Sequence, residues 1–486
     1  MPISVDPAVP NRAPLPDDDP GSPGDPVITM FRRVCVFIPS VMVAISACIL
    51  ALRHLHPAGL AWALDNSYFS NNISILRDIR HLAGDDSWTP MLAVRDWLQR
   101  HPGGDAYDYF FFDMGTKFQY PLSSLLAIQW LPLQGRDAVH ALNLLNLAAW
   151  FSIFPGMALL NLRLARMFAV RTAAPGPSAR TVWIGAASLL TTLCFYPLIR
   201  GVYLGQIQVL LDALFVFACY FYASRRSGLA GVLLGLSALV KPQMALFLLW
   251  GLLRRDRAFV TGLAACAGAG YVASGLLYGW SWPQSYLRVL SFIGRHGESF
   301  YANQSMNGLV NRLLGNGTNL IWEYHRFAPY DGVTYALTLL STGLLLAGGL
   351  WSARTAVTPR AATASLMVAG LCFTAASPVA WEHHYGILLP IFSLLFFSLL
   401  EIPDASDRRR RWLLLGATFV TVANVLSPLN LLATTRFNIL QSYEFFAVLG
   451  VLLLVFLSRR DLGWSVGHRH APHPQAFPGL TDVSWR

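Results

Sequence analysis

The residues best able to do chemistry in this chain lie between two apolar segments. The stretch 376-ASPVAWEHHYGILLP-390 places Glu382 beside His383 and His384. Ionisable groups are costly in hydrocarbon and usually serve a function there. Adjacent histidines lack the HExxH spacing of zinc ligands, so we predict no metal site. A histidine that donates to a phosphate oxygen, or that orients a carboxylate, fits better, and a structural histidine bonded to a backbone carbonyl is the alternative.

Three more charged residues lie in or beside apolar runs. Lys241 follows one such run and precedes a proline. This position at a helix end suits a cation that holds a phosphate, and a lysine that snorkels to the interface is the alternative. Arg200, in the short link 200-RGVYLG-205, supports the phosphate interpretation but equally fits a plain loop charge. Asp212 is the most deeply embedded carboxylate and is a candidate for a supporting role.

Carboxylates are concentrated near the start of the chain. The stretch 54–118 holds eight aspartates, among them Asp65 and the adjacent pair Asp85 and Asp86. A carboxylate in an external loop can act as the general base that deprotonates an acceptor hydroxyl. For any one of them, an ordinary solvated loop residue is the alternative.

The composition is that of a membrane protein. Of 486 residues, 54% are hydrophobic and only 13% are charged, whereas a soluble domain has about 25% charged residues. Apolar runs recur along most of the chain, which indicates a polytopic helical protein. The net charge of +10 comes from arginines between those runs. That placement sets membrane topology and does not indicate a nucleic-acid partner.

The arginines between the apolar runs predict the sidedness of the chain. The fold class is all-α, a transmembrane bundle of about ten full spans over residues 31–460. A short helical hairpin with Lys241 at its tip and a partial segment at 119–134 complete it. External loops are expected at 54–118 and 280–333, and disordered cytoplasmic tails at 1–30 and 461–486.

This topology brings the polar clusters to one external face. The acidic first loop, Arg200 with Gln206, the Lys241 tip, the Asn303 loop and the histidine turn all fall there. A channel would instead distribute polar residues through the membrane thickness. The pattern therefore predicts an active or binding site formed by the external loops.

Five stretches, in this order and spacing, make the chain resemble glycosyltransferase family 87, integral membrane enzymes of the GT-C type. They are 116-TKFQYPLSSLL-126, 204-LGQIQVLLDALF-215, 228-GLAGVLLGLSALVKPQMALFLLWGLLRR-255, 303-NQSMNGLVNRLL-314 and 377-SPVAWEHHYGILLP-390. Known members include bacterial polyprenyl-phosphate-mannose-dependent α-mannosyltransferases and related arabinofuranosyltransferases. The resemblance implies an inverting transfer of a mannose-like hexose or arabinofuranose from polyprenyl phosphate to a lipid or glycan acceptor. It places the reaction at the outer face of the bacterial cytoplasmic membrane.

The resemblance also implies roles for individual residues. An aspartate of the first external loop serves as the base in such enzymes. Asp86 stands where that aspartate belongs, Asp85 is its immediate rival, and Asp65 is a reserve candidate.

The donor phosphate and sugar need a second set of residues. A departing phosphate needs cations but neither a metal nor a cofactor. The residues expected to bind the phosphate or the sugar are Lys241, Arg200, one of His383 and His384, Gln206 and Asn303. The expected partners are the lipid-linked donor, the acceptor and membrane lipids. The alternatives are a transporter or flippase, which would show inverted repeats and midplane charges, and a ligase for a whole lipid-linked glycan.

Overall fold

Helices form the secondary structure of the chain. The computed structural model describes residues 26–55, 84–168 and 179–464. Within these ranges no β-strand is present, and one isolated bridge pairs Asn303 with Trp381. The all-α part of the prediction is therefore confirmed. Asp65 and most of both predicted tails lie outside the described residues.

The described residues form sixteen α-helices, numbered here in chain order. They are α1 (Pro26–Leu55), α2 (Trp88–Arg100), α3 (Gly135–Met167), α4 (Ala179–Leu193), α5 (Tyr196–Leu204), α6 (Gln208–Ala223), α7 (Ser227–Ala238), α8 (Phe247–Arg254), α9 (Arg257–Tyr278), α10 (Trp282–His296), α11 (Met306–Leu314), α12 (Gly332–Thr355), α13 (Pro359–Ala375), α14 (Leu388–Leu400), α15 (Ala405–Val422) and α16 (Tyr443–Leu457). Five 3₁₀ segments lie between them, at Leu122–Ala127, Pro242–Leu246, Glu382–Ile387, Ser427–Leu432 and Arg436–Ser442, together with a π-helix at Tyr107–Asp113.

Six stretches of helix are long and apolar enough to cross a membrane. They are Ile28–Leu52, Gly135–Met167, Arg257–Tyr278, Gly332–Thr355, Glu382–Leu400 and Arg436–Leu457. The pair α4 and α5, bent by 48°, makes a seventh if it is one broken span. The chain is thus a multi-pass membrane protein by the length and composition of its described helices.

The predicted count of about ten full spans is not confirmed. Several apolar segments that the sequence presents as full spans end early as helices. α6 has 16 residues and α13 has 17, so each rises only about 25 Å against a hydrocarbon core of about 30 Å. α15 ends at Val422, and part of the apolar sequence that follows it forms the 3₁₀ helix Ser427–Leu432. Hydropathy alone does not reveal where a helix breaks.

The predicted short hairpin is formed by α7 and α8. Lys241 lies directly before the 3₁₀ segment that joins them. Gly228 of α7 packs on the first turn of α9, whereas Gly270, far along α9, packs on the residue that follows α7. α7 and α9 therefore run side by side in the same direction. Gly251 of α8 also packs on the first turn of α9. The end of α8 therefore lies near the start of α7, as expected for a hairpin.

The centre of the bundle is made by α13 and α14. Every residue of α13 beyond its first two is buried. In the apolar stretch of Glu382–Leu400, which includes α14, 83% of the residues are buried. In the apolar stretches of α9 and α12 only 17% of the residues are buried, which fits helices that face lipid. The histidine stretch therefore leads into the most enclosed helix of the protein.

One end of the bundle carries the arginines. Residues from the ends of α3, α6 and α16 and from the start of α13 line a single recess there, namely Arg163, Arg166, Arg225, Arg360 and Arg460. Twelve residues of α7 separate this end from Lys241, a rise of about 18 Å. The charges that the sequence assigned to one side of the membrane thus lie at one end of the structure.

Close packing of α7 on α9 gives a first testable prediction. A Cβ atom on Gly231 would lie 2.2 Å from the carbonyl oxygen of Phe259, whereas a Cβ on Gly268 of α9 meets nothing within 4 Å. We expect Gly231→Ala to lower the thermal unfolding temperature of the purified protein, since backbone must shift at a cost of about 1–3 kcal/mol. Gly268→Ala is the matched control, and equal stability of the two variants would contradict this packing.

Candidate functional site

Asp86 is positioned by a backbone contact between distant parts of the chain. Its amide donates to the carbonyl of Leu204 at 2.9 Å, and the next amide donates to Gly205 at 3.3 Å. A Cβ on Gly84 would lie 2.1 Å from a backbone oxygen, and one on Gly205 would lie 2.0 Å from the oxygen of Gly84. Gly205 also has φ +66°, a conformation that favours glycine. Two glycines therefore allow the first loop to lie directly on the turn after α5.

The side chain of Asp86 is both reachable and influenced by its surroundings. It is exposed to solvent, and the amide of Gln206 donates to its Oδ2. Surrounding protein raises the pKa of the Asp86 carboxyl, while Gln206, Arg200 and Lys117 oppose that rise. A carboxylate whose pKa lies above its ordinary value accepts a proton more readily, which is what a general base requires.

Gln206 is held in the orientation that serves Asp86. Ser87 Oγ donates to its Oε1 at 2.8 Å and the Tyr120 hydroxyl reaches the same oxygen at 3.2 Å. Asn146 donates to the Gln206 carbonyl at 3.0 Å. Because the amide oxygen accepts these bonds, the amide nitrogen faces the carboxylate. The sequence singled out Gln206 but missed Ser87 and Tyr120, although Tyr120 lies in one of the five resembling stretches.

Asp85 has a different environment. Its Oδ2 accepts from the Thr89 hydroxyl at 2.7 Å, and its carbonyl accepts from the Thr89 amide at 2.9 Å. Asp85 therefore supports the first turn of α2 and is exposed. Of the two described candidates for the base, only Asp86 is bonded to Gln206.

Two buried basic side chains, Arg200 and Lys241, belong to the same group of residues. Arg200 lies within electrostatic range of both Asp86 and His383, and Lys241 lies within range of His383 and His384. Lys241 Nζ and His383 Nε2 are buried and have no hydrogen-bond partner among the described residues. Unsatisfied buried donors of this kind cost free energy and are typical of ligand sites.

Asp212 lies behind these groups. Gln208 donates to its Oδ1 at 2.7 Å, while its Oδ2 has no partner among the described side chains. The carboxyl group is within electrostatic range of Lys241. The supporting role suggested by the sequence stays a prediction.

The two histidines differ in their contacts. The backbone amide of Trp381 donates to His384 Nδ1 at 3.3 Å, so that ring is tied to its own turn. The rings of His383 and His384 meet edge to face, with centroids 4.8 Å apart. His384 thus uses one ring nitrogen within the protein, whereas His383 Nε2 is buried and has no hydrogen-bond partner among the described residues.

Glu382 and Asn303 hold the surrounding backbone. Glu382 accepts from the hydroxyls of Tyr196 at 2.9 Å and Tyr443 at 3.1 Å. Asn303 donates to the carbonyls of Glu298 and Pro378 and accepts from the Ala380 amide at 3.0 Å. Both amide hydrogens of Asn303 are thereby used within the protein. The expected bond from Asn303 to sugar or phosphate is therefore not supported by this geometry, which favours a positioning role.

A buried ion pair that the sequence did not reveal lies beside Asp86. Lys117 and Glu298 form a salt bridge and are only 7% and 5% exposed. Lys117 Nζ also lies 4.0 Å from the ring centroid of Trp322 and 4.5 Å from that of Phe327, a cation–π arrangement. Burial raises the pKa of Glu298 to about 7 and lowers that of Lys117. The pair joins the first loop to the loop 280–333 beside Asp86.

One apolar cluster carries the immediate neighbours of these residues. Trp88, Ile207, Val240 and Val379 are all buried in it. Each of these four residues is next in sequence to a residue of the site: Ser87, Gln206, Lys241, or Pro378 and Ala380, whose backbone Asn303 holds. Separate parts of the chain therefore form one site. Within residues 26–55, 84–168 and 179–464, no three His, Cys, Asp or Glu side chains are grouped as metal ligands would be.

Comparison with known proteins identifies the family. The model of glycosyltransferase family 87 matches residues 118–378, more than half of the chain. A polyprenol-phosphate-mannose-dependent alpha-(1-2)-phosphatidylinositol mannoside mannosyltransferase of Mycobacterium tuberculosis is 26% identical over 304 residues, covering 62% of this chain and 67% of that protein. The protein of the same name from Mycolicibacterium smegmatis is 29% identical over 308 residues, covering 58% of this chain and 64% of that relative. No solved structure matches the chain. The chain belongs to glycosyltransferase family 87.

Proposed function

We propose that this membrane glycosyltransferase moves mannose from polyprenyl phosphate mannose to a phosphatidylinositol-mannoside-like glycolipid. The names of both relatives support this donor and this acceptor class. The observation that carries the proposal is a cluster of charged and polar side chains, in which Arg200 lies within electrostatic range of both Asp86 and His383. Lys241 lies within range of His383, and its Nζ is buried without a hydrogen-bond partner among the described residues. Family membership decides against a plain transporter or flippase.

Asp86 acts as the general base in this proposal. It takes the proton of the acceptor hydroxyl as that oxygen attacks the anomeric carbon of the donor sugar. Gln206 fixes the direction of the carboxylate through the bond to Oδ2. A single displacement inverts the configuration at that carbon. The α-linkage in the relatives' names would then require a β-linked donor phosphate.

The departing polyprenyl phosphate needs positive charge more than a proton. Arg200 supplies a fixed positive charge. Burial lowers the pKa of Lys241 to about 7, and an anionic phosphate beside it favours the protonated form. His383 Nε2 supplies a donor when it carries the ring proton. A bound phosphate gives Lys241 and His383 the hydrogen-bond partner that they lack among the described residues, and these bonds strengthen as the negative charge on the phosphate grows.

The site faces the outer side of the membrane in this proposal. The arginines lie at the other end of the bundle, and basic ends stay in the cytoplasm. A lipid-linked donor enters from the outer leaflet, where the apolar faces of α9 and α12 are exposed.

Replacement of the base is the most direct mutational test. Asp86→Asn should lower transfer from radiolabelled polyprenyl phosphate mannose in isolated membranes by about 10²–10⁴-fold, because no group takes the acceptor proton. Asp85→Asn is the matched control and should retain most of the activity, since Asp85 only supports α2. Near wild-type transfer by the Asp86 variant would refute its assignment as the base.

The pH dependence of the reaction follows from the state of Asp86. Activity should fall as pH drops through the raised pKa of this carboxyl, because only the ionised form accepts a proton. The bond from Gln206 lowers that pKa, so Gln206→Leu should shift the acid limb of the kcat/KM profile to higher pH. An acid limb at unchanged pH in this variant would contradict the role of the bond.

Replacement of His383 and replacement of His384 should affect different measured quantities, kcat and the unfolding temperature respectively. His383→Gln should lower kcat by about tenfold or more, through loss of a donor to the leaving phosphate, with little change in unfolding temperature. His384→Gln should instead lower the unfolding temperature, because its ring holds the Trp381 turn. Loss of activity in the His384 variant alone, with a stable fold, would reverse the assignment.

A further inference from the structure

Two adjoining recesses lie at the arginine end of the bundle, away from the candidate site around Asp86 and Lys241. Their volumes are about 550 Å³ and 320 Å³. Arg163 and Arg166 line both of them. The first recess is also lined by Arg225, Arg360 and Arg460. The second is also lined by Arg226. Six guanidinium groups thus surround one connected region.

Most of this positive charge is not neutralised by the protein. Arg360 pairs with Glu401 at 2.7 Å, and Arg163 donates to a backbone carbonyl at 2.8 Å. The lining acid Asp461 is already paired with Arg411 at 2.8 Å. Four of the six have no side-chain hydrogen bond or ion pair within the described part of the chain, namely Arg166, Arg225, Arg226 and Arg460. Guanidinium groups in this state are suited to bind phosphate.

The second recess also has an apolar wall. Leu159, Leu162 and Tyr220 line it together with the arginines. Leu159 is 41% exposed on α3, a membrane-spanning helix. The recess therefore passes from charged groups at the helix ends to a surface that faces lipid chains. A soluble anion would use only the charged half.

We propose that these recesses bind an anionic glycerophospholipid of the cytoplasmic leaflet. Its phosphate headgroup lies among Arg166, Arg226 and their neighbours, and an acyl chain lies along Leu159. Basic pockets between helices on this side of a membrane are suited to such headgroups. Arginines that only set topology need no recess, because loop position alone suffices for that role.

The test measures thermal unfolding of the purified full chain in neutral detergent. Cardiolipin is the anionic probe, phosphatidylcholine is the zwitterionic control, and inorganic phosphate tests a free anion. The test variant is Arg166→Gln with Arg226→Gln. The matched control is Arg255→Gln with Arg257→Gln, two exposed residues near the same end of the bundle that line neither recess.

Cardiolipin should raise the unfolding temperature of the wild type and of the control, and phosphatidylcholine should not. In the test variant the apparent affinity for cardiolipin should fall about tenfold or more, since each arginine near an anionic headgroup contributes measurably. Equal losses in both double variants would show non-specific charge attraction and overturn the proposal. Equal stabilisation by inorganic phosphate would also overturn it, as would unchanged affinity in the test variant. If the test variant does not fold, Arg460→Gln replaces it under the same criteria.

Discussion

The contact between Gly84 and Gly205 is the constraint on which the site depends. The two backbones approach so closely that a single Cβ on either residue would meet a carbonyl oxygen at about 2 Å. That approach places Asp86 on the turn that carries Gln206, and the same turn follows the short helix that carries Arg200. Asp86 and Arg200 are thus linked through a few residues of backbone, which gives the rigidity that transition-state stabilisation requires.

Electrostatic cost accounts for the rest of the arrangement. A buried polar group without a hydrogen-bond partner costs free energy in a protein interior, and Lys241 Nζ and His383 Nε2 lack such partners among the described residues. The protein holds these groups in place through the hairpin of α7 and α8 and through the turn that Glu382 and Asn303 anchor. A bound phosphate removes the deficit, so affinity for the donor and stabilisation of its leaving group have the same physical origin.

Sequence reasoning found the parts of this site more readily than their contacts. Arg200, Lys241 and the histidines were identifiable because ionisable residues stand out in an apolar chain, whereas the family resemblance singled out Asp86 among eight aspartates. The Ser87–Gln206 bond and the Lys117–Glu298 pair join residues 119 and 181 positions apart, and no local pattern encodes such contacts. The predicted number of spans is not confirmed for a similar reason, since helix breaks such as the one after α15 depend on tertiary packing. Asn303 was expected to bind sugar or phosphate, but its bonds in the described structure are to backbone.

The central claim is that donor phosphate and acceptor hydroxyl meet between Asp86 and the buried cations. A cryo-EM structure of the Asp86→Asn variant with polyprenyl phosphate mannose bound, in lipid nanodiscs, tests it most directly. A phosphate oxygen should lie about 3 Å from Lys241 Nζ, with the anomeric carbon facing position 86. A donor phosphate bound at the arginine end, or a sugar turned away from position 86, would contradict the claim.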